Sequence, residues 1–137
     1  MSKSEKNSKE NTAPATEEKI TGPVTLDAMQ MKAMVEAGTH WLKTNQQIVN
    51  ALNVFPVPDG DTGTNMLLTM QAAWAEVVLS NDNNAGTIMK AVAQGALMGA
   101  RGNSGVILSQ FWRGFSRGID TNAVVTVETF SKAMTEA

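Results

Sequence analysis

Two short stretches of the sequence combine residue types suited to binding a cation and an anion. The first, residues 58–65, reads PDGDTGTN and places Asp59 and Asp61 one residue apart on a glycine-containing backbone. Mg²⁺ binds few protein carboxylates and completes its octahedron with water and phosphate oxygens, so this pair suits it. An EF-hand calcium loop is excluded, because neither its glycine position nor its final glutamate position is filled as required. The structural alternative is an Asp-Gly turn followed by a helix cap at Asp61 or Thr62.

The second stretch, residues 99–105, reads GARGNSG and precedes an apolar helical pattern. Free N–H groups at a helix N-terminus, a Ser104 hydroxyl and glycines that permit close approach together suit phosphate. The stretch is neither a Walker A loop nor a dinucleotide-binding turn that follows a strand. Arg101 fits a phosphate clamp or a solvated side chain. The structural alternative is a helix–helix corner, with Gly102 just past one helix and Asn103 or Ser104 capping the next.

Taken together, the two stretches provide complementary parts of one binding site. A dication held by carboxylates bridges phosphate oxygens that backbone donors also bind, so the pair predicts a magnesium–nucleotide site. No catalytic residue is identified beyond these metal and phosphate ligands. We expect His40, the single histidine, to have a structural or surface role.

Composition narrows the class of protein. The chain has 137 residues, of which 42% are hydrophobic and 18% charged, which fits one domain. A formal net charge of −2 argues against a nucleic-acid-binding surface. Because cysteine is absent, disulfides, thiol catalysis and cysteine-based zinc sites are excluded, and because there is one histidine, so is a histidine-rich metal centre. Any metal must therefore have oxygen ligands.

The elements that must position these stretches are predicted to be helices. Residues 1–23 carry four Lys and four Glu with few large apolar side chains, which indicates a disordered polar tail before a domain at 24–137. With no apolar signal core and no membrane-spanning run, we expect a cytoplasmic protein. Apolar spacing predicts an all-α fold, and the best strand candidate, 124–127, is short. The predicted helices cover residues 25–41, 44–52, 66–78, 87–99, 107–118 and 127–134.

The same stretches resemble a known family. Residues 52–66 (LNVFPVPDGDTGTNM) and 95–110 (GALMGARGNSGVILSQ) closely resemble the N-terminal domain of the kinase component of the bacterial fatty acid kinases. That domain belongs to the wider dihydroxyacetone kinase L-type (DhaL) family. The resemblance extends from about residue 25 to residue 137 and implies an up-and-down antiparallel helical barrel of eight helices. Six predicted helices would make this barrel incomplete, so we expect a missing C-terminal portion, a partner or a homo-oligomer.

The resemblance also implies site residues. Asp59 and Asp61 match metal-binding aspartates, and two Mg²⁺ ions are expected with ATP or ADP. Asn53 stands nearest to a further family aspartate and offers only an amide oxygen. The residues that match nucleotide-binding positions are Thr62, Gly63, Thr64, Asn65, Gly102, Asn103, Ser104 and Gly105.

The function implied is ATP-dependent and magnesium-dependent phosphoryl transfer. By resemblance, the acceptor is a fatty acid carboxylate held by a separate acyl-binding subunit, and the product is an acyl phosphate. A carboxylate is already ionised at pH 7, so it needs no general base. One alternative is a glycerone (dihydroxyacetone) kinase, and another is a non-catalytic nucleotide-binding or interaction module.

Overall fold

Five helices and one pair of very short strands make up residues 22–137, the part of the chain that the computed structural model describes. The all-α prediction is confirmed. The strands, β1 and β2, pair antiparallel. In chain order the elements are β1 (Thr25–Leu26), α1 (Ala28–Ala51), α2 (Thr62–Val77), α3 (Ala85–Met98), α4 (Gly102–Ile119), β2 (Val125–Thr126) and α5 (Val127–Glu136).

Each helix packs against the next one in the chain, and α2 also contacts α4. Small residues let the helix backbones approach closely. A Cβ on Gly95 of α3 would lie 2.8 Å from the carbonyl oxygen of Ala72 in α2. The apolar faces of the helices meet in one core, whose largest fully buried members are Met31, Val35, Val77, Ile88, Met89, Val92, Phe115, Ile119 and Val125.

Helix α1 is continuous where two helices were predicted. The sequence at residues 44–47 resembles a capping box, which suggested a new helix start. In the structure Thr44 donates to the carbonyl of His40 at 3.1 Å, and Asn45 donates to the carbonyl of Trp41 at 2.8 Å. Both side chains therefore bond back to the preceding turn of the same helix, an alternative that the sequence pattern does not distinguish from a cap. The described residues accordingly contain five helices rather than the predicted six.

Helix starts differ from the predicted ones by a few residues. Asp27, not Thr25, caps α1, and its side chain forms a reciprocal capping box with Gln30. Helix α3 begins after Asn84, whose side chain accepts from the Thr87 N–H at 3.0 Å. Most of the predicted polar tail, residues 1–23, lies outside the described residues. Within residues 22–137 no helix is both long enough and apolar enough to cross a bilayer.

Candidate functional site

A cleft of about 400 Å³ lies between the loop that precedes α2 and the start of α4. It brings together the two stretches singled out in the sequence, which are some forty residues apart in the chain. One part of its wall is apolar and the other polar. The lining residues are Asn53, Phe55, Pro56, Val57, Asp59, Asp61, Thr62, Asn65, Gly102, Asn103 and Ser104.

Both aspartates line this cleft and are exposed to solvent. Asp61 occupies the N-cap position of α2, but its side chain forms no capping hydrogen bond. Its carboxylate is therefore not used as the cap that the structural alternative required. Asp59 accepts one hydrogen bond, from the side-chain amide of Asn53 at 2.9 Å. One or two carboxylates with water and phosphate oxygens are the usual ligands of Mg²⁺, so this donor set fits the ion.

No group of three or more Asp, Glu or His side chains that could hold a metal occurs within residues 22–137. A cation at the aspartate pair would therefore take its remaining ligands from water, from a bound ligand or from neutral oxygens. That requirement favours Mg²⁺ with a phosphate ligand over an all-protein cage.

The amide of Asn53 is already fully bonded within the loop. Its oxygen accepts from the backbone N–H of Thr62 at 3.2 Å and from the Thr62 hydroxyl. Its nitrogen donates to Asp59 and to the carbonyl of Val57 at 3.2 Å. Because the oxygen already accepts two hydrogen bonds, the arrangement does not support Asn53 as a direct metal ligand.

The start of α4 forms the opposite wall. The first N–H groups of a helix have no partner within the helix, and here they belong to the three cleft residues Gly102, Asn103 and Ser104. The N-cap residue, Arg101, provides no side-chain cap, whereas α1, α3 and α5 each have one. The stretch does form a corner between α3 and α4, but Asn103 and Ser104 lie inside the first turn of α4, so the prediction that one of them is the cap is wrong. These backbone donors suit an anion.

Two contacts connect the walls. The Ser104 hydroxyl donates to the carbonyl of Thr62 at 3.3 Å. Gly102 has φ of +62°, and a Cβ there would collide with the side-chain amide of Asn65. The left-handed backbone and the close approach both require glycine at this position. Arg101 itself is exposed and does not line the cleft.

Gly63 and Thr64 face α1 rather than the cleft. The Thr64 hydroxyl accepts from the side-chain amides of Gln46 at 2.9 Å and Asn50 at 3.0 Å. The Thr64 N–H donates to the Asn50 oxygen at 3.0 Å. A Cβ on Gly63 would lie 2.5 Å from the carbonyl oxygen of Gln46. These two predicted nucleotide-binding residues therefore pack the first turn of α2 against α1.

Gly105, in the first turn of α4, packs against Thr69 of α2. Thr69 is a residue that the sequence analysis missed. A Cβ on Gly105 would collide with the Thr69 hydroxyl. That hydroxyl is fully buried, donates to the carbonyl of Asn65 at 2.8 Å and accepts from the N–H of Arg101 at 3.1 Å. Thr69 thus attaches the loop before α4 to α2. The available signal was a hydroxyl on the apolar face of a predicted helix.

The sequence profile described as "DAK2 domain" matches residues 56–137. The chain belongs to the DAK2 domain family. This finding confirms the resemblance to the DhaL type and makes the chain a dihydroxyacetone kinase-type domain. The matched residues include both aspartates and the whole start of α4.

Longer bacterial proteins contain similar sequences. Protein YloV of Bacillus subtilis (strain 168) is 49% identical over 110 residues, which cover 80% of this chain and 20% of YloV. An uncharacterized protein of Staphylococcus epidermidis (strain ATCC 12228) is 47% identical over 100 residues, covering 73% of this chain and 18% of that protein. An uncharacterized protein of Staphylococcus aureus (strain USA300) is 46% identical over 100 residues, with the same coverage. The chain spans about one fifth of the length of these curated relatives.

Proposed function

We propose that this DAK2 domain binds ATP with Mg²⁺ in the cleft and transfers the terminal phosphoryl group. The composition of the cleft wall is the observation that carries the proposal. Two carboxylates line it beside unpaired helix N–H groups, and none of its described lining residues is Lys, Arg or His. A triphosphate in this cleft would meet negative side chains with no cationic side chain to offset them. A dication resolves the repulsion by binding both the carboxylates and the phosphate oxygens.

Each wall has its own role in this proposal. Asp59 and Asp61 hold Mg²⁺, and the N–H groups at the start of α4 bind phosphate oxygens. When bound, Mg²⁺ neutralises negative charge on the β- and γ-phosphate oxygens. The hydrogen bond from the Ser104 hydroxyl to the Thr62 carbonyl connects the two walls. Catalysis then comes chiefly from positioning and electrostatic stabilisation.

The acceptor that we propose is a fatty acid carboxylate held by a separate acyl-binding protein, as the resemblance to the bacterial fatty acid kinases implies. A carboxylate oxygen forms a new bond to the γ-phosphorus, and the bond from that phosphorus to the ADP oxygen breaks. The products are an acyl phosphate and ADP, and no proton has to be removed from the acceptor. The described cleft residues agree, because they include no base besides the two proposed metal ligands.

Dihydroxyacetone is the second candidate acceptor, because the family match is to a dihydroxyacetone kinase-type domain. A hydroxyl acceptor must lose a proton as the new bond forms, so this reaction requires a base. A third possibility is that the domain binds the nucleotide and transfers nothing.

Calorimetric titration with ATP tests the binding step. We expect ATP affinity in the presence of Mg²⁺ to exceed that in EDTA by at least about tenfold, and Asp59→Asn combined with Asp61→Asn to abolish the difference. Asp82→Asn is the matched control, because Asp82 is an exposed aspartate in the loop between α2 and α3, outside the cleft. Affinity that is independent of Mg²⁺, or unchanged in the double variant, would contradict the proposal.

Transfer is tested by product analysis with two acceptors. Acyl phosphate formed from an oleate-loaded acyl-binding protein supports the first acceptor, and phosphorylation of free dihydroxyacetone supports the second. ATP binding with no transfer to either acceptor favours the non-catalytic module.

A further inference from the structure

Asn53 joins the end of α1 to both the metal-binding loop and the start of α2. An asparagine amide has two N–H donors and two acceptor lone pairs, and in this structure all four are used. We infer that Asn53 is a positioning residue that fixes the direction of the Asp59 carboxylate in the cleft. This inference rests on the proposed function, because it concerns binding of Mg²⁺ and ATP.

The geometry assigns different tasks to the two ends of this amide. The Asn53 oxygen accepts from Thr62 and so holds the first residue of α2. The nitrogen donates to one carboxylate oxygen of Asp59 at 2.9 Å and to the carbonyl of Val57 at 3.2 Å. One residue therefore fixes Asp59 relative to the helix that begins next to Asp61.

Fixing Asp59 matters because the loop that carries it is exposed and contains Gly60 with φ of +65°. An unrestrained carboxylate on such a loop loses rotamer freedom when it binds a cation, which lowers affinity. A donor that already holds one oxygen removes part of that loss and leaves the other oxygen for the cation. Loss of the hydrogen-bond partner of a metal ligand commonly lowers metal affinity 10- to 100-fold.

Asn50 provides a matched control within the same region. Its amide bonds to the backbone and hydroxyl of Thr64, as the Asn53 oxygen does to Thr62, but its recorded hydrogen bonds include no carboxylate. Asn50→Ala therefore removes a comparable tether of α2 without touching Asp59.

Two variants of Asn53 distinguish three roles: positioning of Asp59, direct binding of Mg²⁺, and a purely structural contribution to the fold. Asn53→Ala removes all four hydrogen bonds. Asn53→Asp keeps an oxygen that accepts from Thr62, but it removes the donor to Asp59 and places a second carboxylate there. If Asn53 were a direct metal ligand, the added negative charge would strengthen Mg²⁺ binding. If it positions Asp59, losing the donor that holds the Asp59 carboxylate weakens that binding.

The measured quantity is the Mg²⁺ coupling factor, the ratio of the ATP dissociation constant in EDTA to that in saturating Mg²⁺, obtained by calorimetry. We expect Asn53→Ala and Asn53→Asp each to lower this factor by about tenfold or more. Asn50→Ala should leave it within about twofold while lowering the melting temperature. In an Asp59→Asn background, Asn53→Ala should have no further effect, because the two residues act as one unit. A higher factor in Asn53→Asp, or an undiminished effect of Asn53→Ala in that background, would overturn the inference.

A second measurement needs no metal. In the metal-free chain, Asp59→Asn should shift the side-chain amide resonances of Asn53 in a ¹H–¹⁵N spectrum, and the control Asp82→Asn should not. If wild-type protein shows no Mg²⁺ coupling, the proposed function fails and this inference fails with it. If wild-type coupling is present and both Asn53 variants retain it, only the inference fails. Should Asn53→Ala not fold, Asn53→Asp, which retains the bonds from Thr62, decides the question.

Discussion

Thr69→Val should weaken both the fold and the cleft wall that we propose binds phosphate, although Thr69 does not line the cleft. Its buried hydroxyl is the acceptor for the N–H of Arg101, the residue immediately before α4. Valine has nearly the same shape but cannot accept that hydrogen bond. The substitution therefore leaves the Arg101 N–H without its partner. Arg101 immediately precedes α4, the helix whose first N–H groups face the cleft.

The magnitude follows from the two hydrogen bonds of this hydroxyl. The bond that it donates to the Asn65 carbonyl is a local back-bond within α2, and such bonds contribute little to helix stability. The bond that it accepts from Arg101 is different, because a partly buried donor left unpaired costs about 1–3 kcal/mol. We expect a loss of about 1–2 kcal/mol in the free energy of unfolding and a fall in Tm of roughly 5–10 °C. If the same energy holds the start of α4 in place, ATP affinity falls by about 5- to 30-fold.

Urea denaturation and ATP calorimetry measure the two effects. Thr39→Val is the matched control, because Thr39 makes the same back-bond within α1, to Val35 at 2.8 Å, and no backbone donor is recorded for its oxygen. Thr69→Ser retains the hydroxyl and should keep most of the ATP affinity. The reasoning is refuted if Thr69→Val is no more destabilising than Thr39→Val, or if Thr69→Ser loses as much ATP affinity as Thr69→Val.

Two further predictions concern the scaffold alone. Lys32→Met should lower the free energy of unfolding in urea by about 1–3 kcal/mol with ATP affinity unchanged. The buried ammonium donates to two carbonyls that follow α2, those of Ser80 at 2.9 Å and Val78 at 3.2 Å. No loss of stability would show that these bonds contribute nothing. Gly118→Ala should cost at least about 2 kcal/mol in the same assay, because a Cβ there would collide with the backbone of Ala133 in α5. Gly38→Ala is the control, since a Cβ on Gly38 of α1 meets nothing within 4 Å. This control substitution should raise the free energy of unfolding by about 0.5–1 kcal/mol. Equal effects of the two substitutions would contradict the clash.

The positions of the helices could largely be predicted from the sequence, because apolar spacing reports which face of each helix enters the core. What the pattern could not decide is whether a polar side chain caps a new helix or bonds back to the one that it belongs to. Thr44 fits both, and only the packing of the continuous α1 against α2 selects the second. Thr25 and Asp27 are likewise both good caps, and the pairing of Thr25 with Thr126 in the short sheet leaves the cap to Asp27.

The placement of candidate site residues was predictable where the residue type itself suggested a chemistry. Asp59, Asp61 and Ser104 were selected because carboxylates and hydroxyl-bearing glycine loops bind cations and anions, and they line one cleft. Residues that act through tertiary contacts were not predictable. Nothing in the sequence places Asn50 opposite Thr64, because the two are joined only once α1 and α2 pack together.

The charges around the cleft explain why triphosphate binding there would depend on Mg²⁺. Helices α2 and α4 both begin there, and each helix N-terminus is equivalent to roughly half a positive charge. Asp59 and Asp61 contribute two full negative charges, so the cleft on its own has about one net negative charge and disfavours a triphosphate. One Mg²⁺ ion, bound as we propose, would change the net charge to about plus one and so attract a triphosphate. In the proposed complex, the aspartates therefore make the attraction for a triphosphate dependent on Mg²⁺, and the backbone donors at the start of α4 would contact the phosphate oxygens.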